Sequence, residues 1–378
     1  MKIGFDAKRI FHNSRGLGNY SRTLVESLKK YYPDNDLFLY TPPIKDKSSL
    51  DYVRRFDRVK VRTPETSISK TFSSLWRSMF LSKVLKEDKL DIYHGLSHEL
   101  PPGIEKLNIK TVVTIHDLIF LRYPEQFPWI DRQVYLKKFK HACEVSTKIV
   151  AICEQTKSDL IEFLGVPESK IQVLYQACHQ NYYEPWSEAE IERVRNKFSL
   201  SRKFILNVGA LEERKNTLVL VKAFSRIAKD FPDHDLVLVG RGKEYKEKLL
   251  NAITSYSLTD RVHILDNVPT EDLPGLYQKC AVFAFPSLFE GFGIPIVEAM
   301  FSGAAVITST GSCFPEAGGP AAMYINPLSV EEWAKALSNV LSDDELAKTM
   351  GRNGRAYAEK FHWKNTSKEL FNFYKSLS

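Results

Sequence analysis

The chain is poor in the features that would mark a disulfide, zinc or membrane-spanning protein. Its 378 residues include five cysteines, Cys143, Cys153, Cys178, Cys280 and Cys313, and none stands in a Cys-x-x-Cys pair. That scatter argues against a structural zinc site or a dithiol redox centre. Reduced thiols are the default for such a chain. No apolar run approaches the ~18–20 residues that cross a bilayer. The opening Met1-Lys-Ile-Gly-Phe-Asp6 reads as a strand and not as a secretory leader, so a cytoplasmic location is expected. Asp34 and Asp36 stand in an Asp-x-Asp pair that could share a divalent metal. They fall in a helix-to-strand turn, where solvated aspartates are common, and no metal is expected.

Charge is present in both signs, with a net +7. Between Lys45 and Lys89 there are twelve Lys/Arg against six Asp/Glu, which is nearly the whole imbalance. Phe72, Leu75, Trp76, Met79 and Phe80 interleave with those charges at helical spacing. The segment is a candidate for peripheral contact with the inner membrane through anionic headgroups. It reads equally as a solvated helix with a buried apolar face.

What the chain has in quantity is alternation. Short apolar runs at Lys2–Asp6, Asp36–Tyr40, Asp91–Gly95, Thr111–His116, Lys148–Cys153 and Ile171–Tyr175 alternate with helical segments. The pattern restarts at Lys203–Gly209 and continues through His234–Gly240, Arg261–Leu265, Ala281–Phe285 and Gly303–Ser309. Such alternation predicts α/β architecture with parallel sheets and crossover helices. The length suits two domains. The boundaries read as 1–180 for the first Rossmann-like domain, 181–200 for a linker, 201–360 for the second and 361–378 for a terminal amphipathic helix. Within the linker, Ser187-Glu-Ala-Glu190 resembles a capping box.

The stretch Phe285-Pro-Ser-Leu-Phe-Glu-Gly-Phe-Gly-Ile-Pro-Ile-Val-Glu-Ala-Met300 organises the second half. A strand runs into Glu290-Gly-Phe-Gly293, and a helix starts near Pro295. Gly291 and Gly293 let backbone N–H groups approach a ligand, and the helix start favours an anion such as phosphate. Glu290 and Glu298 bracket the turn. A carboxylate repels phosphate but accepts hydrogen bonds from sugar hydroxyls. Sugar, phosphate and ribose in a row describe a nucleotide-sugar.

With its Glu-x7-Glu spacing and the surrounding Pro-Ser-x-x-Glu-Gly-Phe-Gly-x-Pro-x-x-Glu-Ala-Met, the chain resembles the retaining family 4 glycosyltransferases. The resemblance runs in the family's order from Arg15-Gly-Leu-Gly18 to Phe361-His-Trp363. It implies the GT-B fold, two Rossmann-like domains facing a central cleft, with acceptor on the first, donor nucleotide on the second and the terminal helix packing back on the first. It implies that Glu290, His116 and the Phe292-Gly293-Ile294 backbone orient a hexose. Glu298 would take the ribose hydroxyls, and Arg214 and Lys215 would stabilise the departing diphosphate. Gly16, Gly18, Gly209 and Gly291 would border the donor. His116, Arg214, Lys215 and Glu290 are thus the expected catalytic set.

The implied partners are a nucleoside diphosphate sugar and a glycan or lipid-linked glycan acceptor, with no nucleic acid and no cofactor. The likeness is strongest to bacterial mannosyltransferases of polysaccharide assembly, which puts GDP-mannose first and a UDP-sugar second. Two departures stand out. Ala210 occupies a position where many relatives carry arginine, and Cys153 one where they commonly carry serine. Two other classes fit parts of the sequence. A dinucleotide-dependent oxidoreductase would use the loop ending at Ser21, and a non-enzymatic binding protein would use the basic segment.

Overall fold

The computed structural model describes residues 1–13, 16–44, 48–64 and 81–377. Arg15, the aromatic run from Phe72 to Phe80 and much of the basic Lys45–Lys89 segment lie outside those residues. The chain divides into two compact units. One comprises Met1–Ala177 with Trp363–Ser378, the other Cys178–His362.

The first unit carries strands β1 (Lys2–Asp6), β2 (Asp36–Tyr40), β3 (Val59–Arg62), β4 (Ile92–Gly95), β5 (Lys110–Ile115), β6 (Lys148–Ala151) and β7 (Ile171–Val173). They form one sheet in the order β3-β2-β1-β4-β5-β6-β7, parallel throughout. A parallel sheet is covered on both faces, which is why its strands read as continuous apolar runs. One face packs Tyr93, Val113, Ile115 and Phe139. The other packs Ile3, Phe5, Ile92 and Val112 with Leu370, Phe373 and Tyr374 of the terminal helix, Trp363–Lys375. Tyr374 also binds His94 Nδ1 of β4 at 2.6 Å, and Phe371 stacks on Tyr32 at 4.0 Å.

The second unit repeats the plan with β8 (Lys203–Val208), β9 (His234–Val239), β10 (Val262–Leu265), β11 (Val282–Phe285), β12 (Val306–Ser309) and β13 (Met323–Ile325). The order is β10-β9-β8-β11-β12-β13, again parallel. Phe224, Leu236, Ile307, Trp333 and Leu337 anchor one of its cores.

The segment read as a linker contains a helix, Glu188–Lys197, opened by a complete capping box between Ser187 and Glu190. Arg193 and Lys197 hold the buried Asp272 at 2.9 and 2.5 Å, so this helix groups with the second unit. Cys153 caps the Glu154–Leu164 helix, its sulfur accepting from Thr156 N–H. A thiol does here what a serine would do.

In each sheet the strand order reverses direction once, between β1 and β4 in the first and between β8 and β11 in the second. Open α/β sheets take ligands at the carboxyl ends of the strands beside such a switch.

Candidate active site

In the second unit the loops following β8 and β11 meet at that switch. Glu213–Lys215 forms a single 3-10 turn closed by Asn216, whose φ of 54° is left-handed. Asparagine tolerates that region better than most residues. Its side chain also donates to the carbonyls of Pro286 and Pro327, at 3.2 and 2.7 Å. Leu288 N–H bonds Arg214 O at 2.8 Å. The turn carrying the two cations is thereby stitched to the loop carrying Glu290.

Glu290 is the centre of the resulting cluster and is 9 % exposed. Oε1 accepts from Lys215 Nζ and from Ser287 Oγ, each at 2.5 Å. Oε2 lies 3.1 Å from Arg214 NH1. Arg214 also donates to Phe289 O at 2.5 Å and to Glu212 at 2.7 Å. Burial alone would raise the Glu290 pKa, but Lys215 and then Arg214 outweigh it and hold the carboxyl below its usual range. The backbone of Glu290 is clamped too, its N–H and C=O both meeting Ser312 Oγ, at 3.3 and 3.2 Å.

Gly293 caps the Ile294–Phe301 helix with φ 98°, a conformation a side chain resists. Phe292 turns its ring into the unit, 2 % exposed and edge-on to Phe361 at 5.3 Å. At 292 it is therefore the backbone, and not the ring, that is left to meet a ligand. Gly209 directly follows β8 and bonds Val239 O through its N–H at 2.9 Å. A Cβ on Gly240 would sit 1.7 Å from the Gly209 carbonyl, so Gly240 must be glycine for the β8 and β9 loops to close together.

One turn into the same helix, Glu298 accepts a hydrogen bond from Tyr277 at 3.0 Å, and the Tyr182 hydroxyl bonds it too. Burial pushes its pKa up to about 7, with the two phenols pulling the other way. Sequence reasoning missed Tyr182, Tyr277, Ser287 and Ser312. The first two lie far from Glu298 in sequence, and nothing in their neighbourhood marks them.

In the first unit, His116 follows β5 directly and is 5 % exposed. Its Nε2 lies 2.9 Å from Leu96 O. A carbonyl only accepts, so Nε2 carries the proton and Nδ1 is left as an acceptor. Burial and then His98 lower its pKa to about 3, and the ring is neutral at physiological pH. Asp117 bonds Ile119 N–H at 3.1 Å, supporting the loop.

Gly16 and Gly18 open the Gly16–Tyr31 helix in place of the expected preceding loop. A Cβ at Gly18 would fall 1.8 Å from Asn13 O, which gives this glycine a packing reason. At Gly16 a Cβ would meet nothing. The helix reaches His116 through Tyr20, whose ring meets the imidazole edge-on at 4.6 Å.

Asp36 is bound by Arg58 at 3.0 and 3.2 Å. A second Asp-x-Asp, at Asp233 and Asp235, went unremarked in the sequence. Its buried Asp235 meets Arg261, His263 and Arg202 at 3.0, 2.9 and 3.2 Å. Among the described residues, no group of three or more His, Cys, Asp or Glu is arranged to hold a metal ion. No helix among them is long and apolar enough to cross a membrane.

Comparison with known proteins agrees with this geometry. Residues 14–179 match the model described as "Glycosyltransferase Family 4", and residues 188–357 match "Glycosyl transferases group 1". The chain is 29% identical to O-antigen chain mannosyltransferase B of Escherichia coli, with 100% of both chains covered. It is 27% identical to the D-inositol 3-phosphate glycosyltransferase of Corynebacterium urealyticum, over 96% of this chain and 91% of that protein. In fold it matches the sucrose-phosphate synthase of Thermosynechococcus elongatus, with TM-score 0.78, 19% identity, and 100% and 99% of the two chains covered. Anabaena HepE solved with UDP and glucose gives TM-score 0.75 and 21% identity over all of both chains. The chain belongs to the family 4 glycosyltransferases and has the GT-B architecture, two Rossmann-like units each built on a parallel sheet.

Proposed function

We propose that this glycosyltransferase moves a hexose, with mannose from GDP-mannose the leading case, from a nucleoside diphosphate sugar to a hydroxyl of a glycan or lipid-linked glycan, with retention at the anomeric carbon and without a metal. The observation that carries the reading is the convergence of Lys215, Arg214 and Glu290 beside the glycine turn at 291–293. Two cations and a row of backbone amides suit a departing diphosphate. A carboxylate among them suits a hexose hydroxyl. His116, neutral and with Nδ1 as its open acceptor, suits a second hydroxyl and is unsuited to donating a proton near neutral pH.

No side chain is placed as a covalent nucleophile in this scheme. The acceptor oxygen forms its bond to the anomeric carbon on the face from which the phosphate oxygen leaves, and the acceptor proton passes to that phosphate. The protein contributes position and charge. Mannose is favoured by the full-length likeness to an O-antigen mannosyltransferase. A UDP-sugar is the second reading, and HepE, solved with UDP and glucose, keeps it open through likeness of fold. The test is NMR of the product formed from an α-linked donor with a synthetic glycan acceptor. An α-linked product is expected, and a β-linked product would refute retention.

A further inference from the structure

We propose that Tyr277 and Tyr182 are positioning residues for the donor nucleotide, fixing the Glu298 carboxylate so that its remaining lone pairs face the ribose hydroxyls. The proposal rests on the reading that Glu298 receives the ribose.

Glu298 stands on the Ile294–Phe301 helix, which carries no other charged side chain. Tyr277 reaches it from the Leu273–Lys279 helix, and Tyr182 from the Gln180–Tyr182 turn. Both rings are buried to within 1 % of complete and meet edge-on at 5.6 Å. Neither phenol can therefore swing to another partner without opening the packing. A carboxylate offers about four lone-pair sites. Two phenol donors take two of them, and Glu298 as a residue is half-buried and not sealed off, which leaves the other two for a vicinal diol.

The other groups facing this site do not compete for it. The Cys178 thiol is buried and held protonated, first by desolvation and then by Glu298 itself. Arg355, from the neighbouring Asp344–Ala358 helix, is engaged with the carbonyls of Phe301 and Tyr183. The phenols are thus the donors that both orient the carboxylate and offset its desolvation. Deleting one hydroxyl leaves the ring packing in place and removes one of those bonds.

The experiment measures, for wild type, Tyr277→Phe and Tyr182→Phe, the dissociation constants of GDP and UDP and of their 2′,3′-dideoxy analogues, at pH 6.5 and pH 9. The expected result is that each variant weakens whichever natural nucleotide binds by at least ~5-fold at pH 6.5. The loss should be smaller at pH 9, with the dideoxy analogue bound as by wild type. Equal weakening of natural and dideoxy nucleotides would mean a general packing role and overturn the proposal. Equal binding of the two by wild type would remove the Glu298–ribose contact on which it rests. Failure of wild type to bind either nucleotide would overturn the functional reading as well. A second check is steady-state kinetics, where the donor KM should rise with kcat retained.

Discussion

Lys215 and Arg214 already hold an anion in this structure, and that anion is Glu290. A buried carboxylate between two cations neutralises the charge that a diphosphate would otherwise find waiting. On the proposed function, a donor diphosphate would compete with Glu290 for the same groups, and Glu290 would become available to the hexose as the phosphates took over. Glu290→Gln should therefore cut transfer sharply while tightening the binding of the cognate nucleoside diphosphate several-fold, as read by calorimetric titration. Weaker nucleotide binding in that variant would refute the competition.

Glu298 leads to a prediction of a different sign. Its folded pKa lies near 7, above the ordinary carboxyl value, so the folded state binds a proton more tightly than the unfolded state between those two values. Stability from this group is greatest at low pH and is lost as pH rises towards 7. A neutral isostere avoids the burden. Glu298→Gln should melt above wild type at pH 8, with the gap closing as pH falls to 5, and should bind donor more weakly. A Tm equal to wild type at pH 8 would contradict the buried-charge reading. Functional groups held at a cost to stability are expected at such sites.

At the scale of elements, much of the site was legible because a loop's length and residue types are local. Glu290, Glu298 and the glycines announce the turn before the Ile294–Phe301 helix, and the apolar strands on either side fix where it stands in the sheet. What sequence could not display is the stitching between separate loops, such as Asn216 to Pro286 and Pro327, or the phenols converging on Glu298. These contacts join residues with no local signature.

Gly18 shows the converse, a glycine legible as conspicuous but for another reason. It read as a place for a ligand to approach, and the structure places the Asn13 carbonyl there. Gly18→Ala should destabilise the first unit by ~1–3 kcal/mol, the range for overpacking. Chemical denaturation would register it as a lower midpoint, and an unchanged midpoint would mean that the start of the Gly16–Tyr31 helix adjusts freely.

For the molecule as a whole, parallel order in both sheets was legible in the alternation of short apolar strands with helical segments, since parallel neighbours need crossover connections. Short members escaped notice, notably β3 with its charged Val59-Lys-Val-Arg62 and the three-residue β13. The terminal helix joins the first unit because Leu370, Phe373 and Tyr374 complete one of its cores. The site elements of the second unit lie together at its single topological switch, and the proposal of a nucleoside diphosphate sugar as ligand places it there.

The most direct test of that claim is thermal stabilisation of the whole chain by GDP, UDP, GDP-mannose, UDP-glucose, UDP-N-acetylglucosamine and NAD, with and without EDTA. A ligand at ~100 times its dissociation constant adds about 2.7 kcal/mol of stability. Stabilisation by one nucleoside diphosphate and its sugar, unaltered by EDTA, is the predicted result. Stabilisation by NAD alone, or by none of the panel, would contradict it.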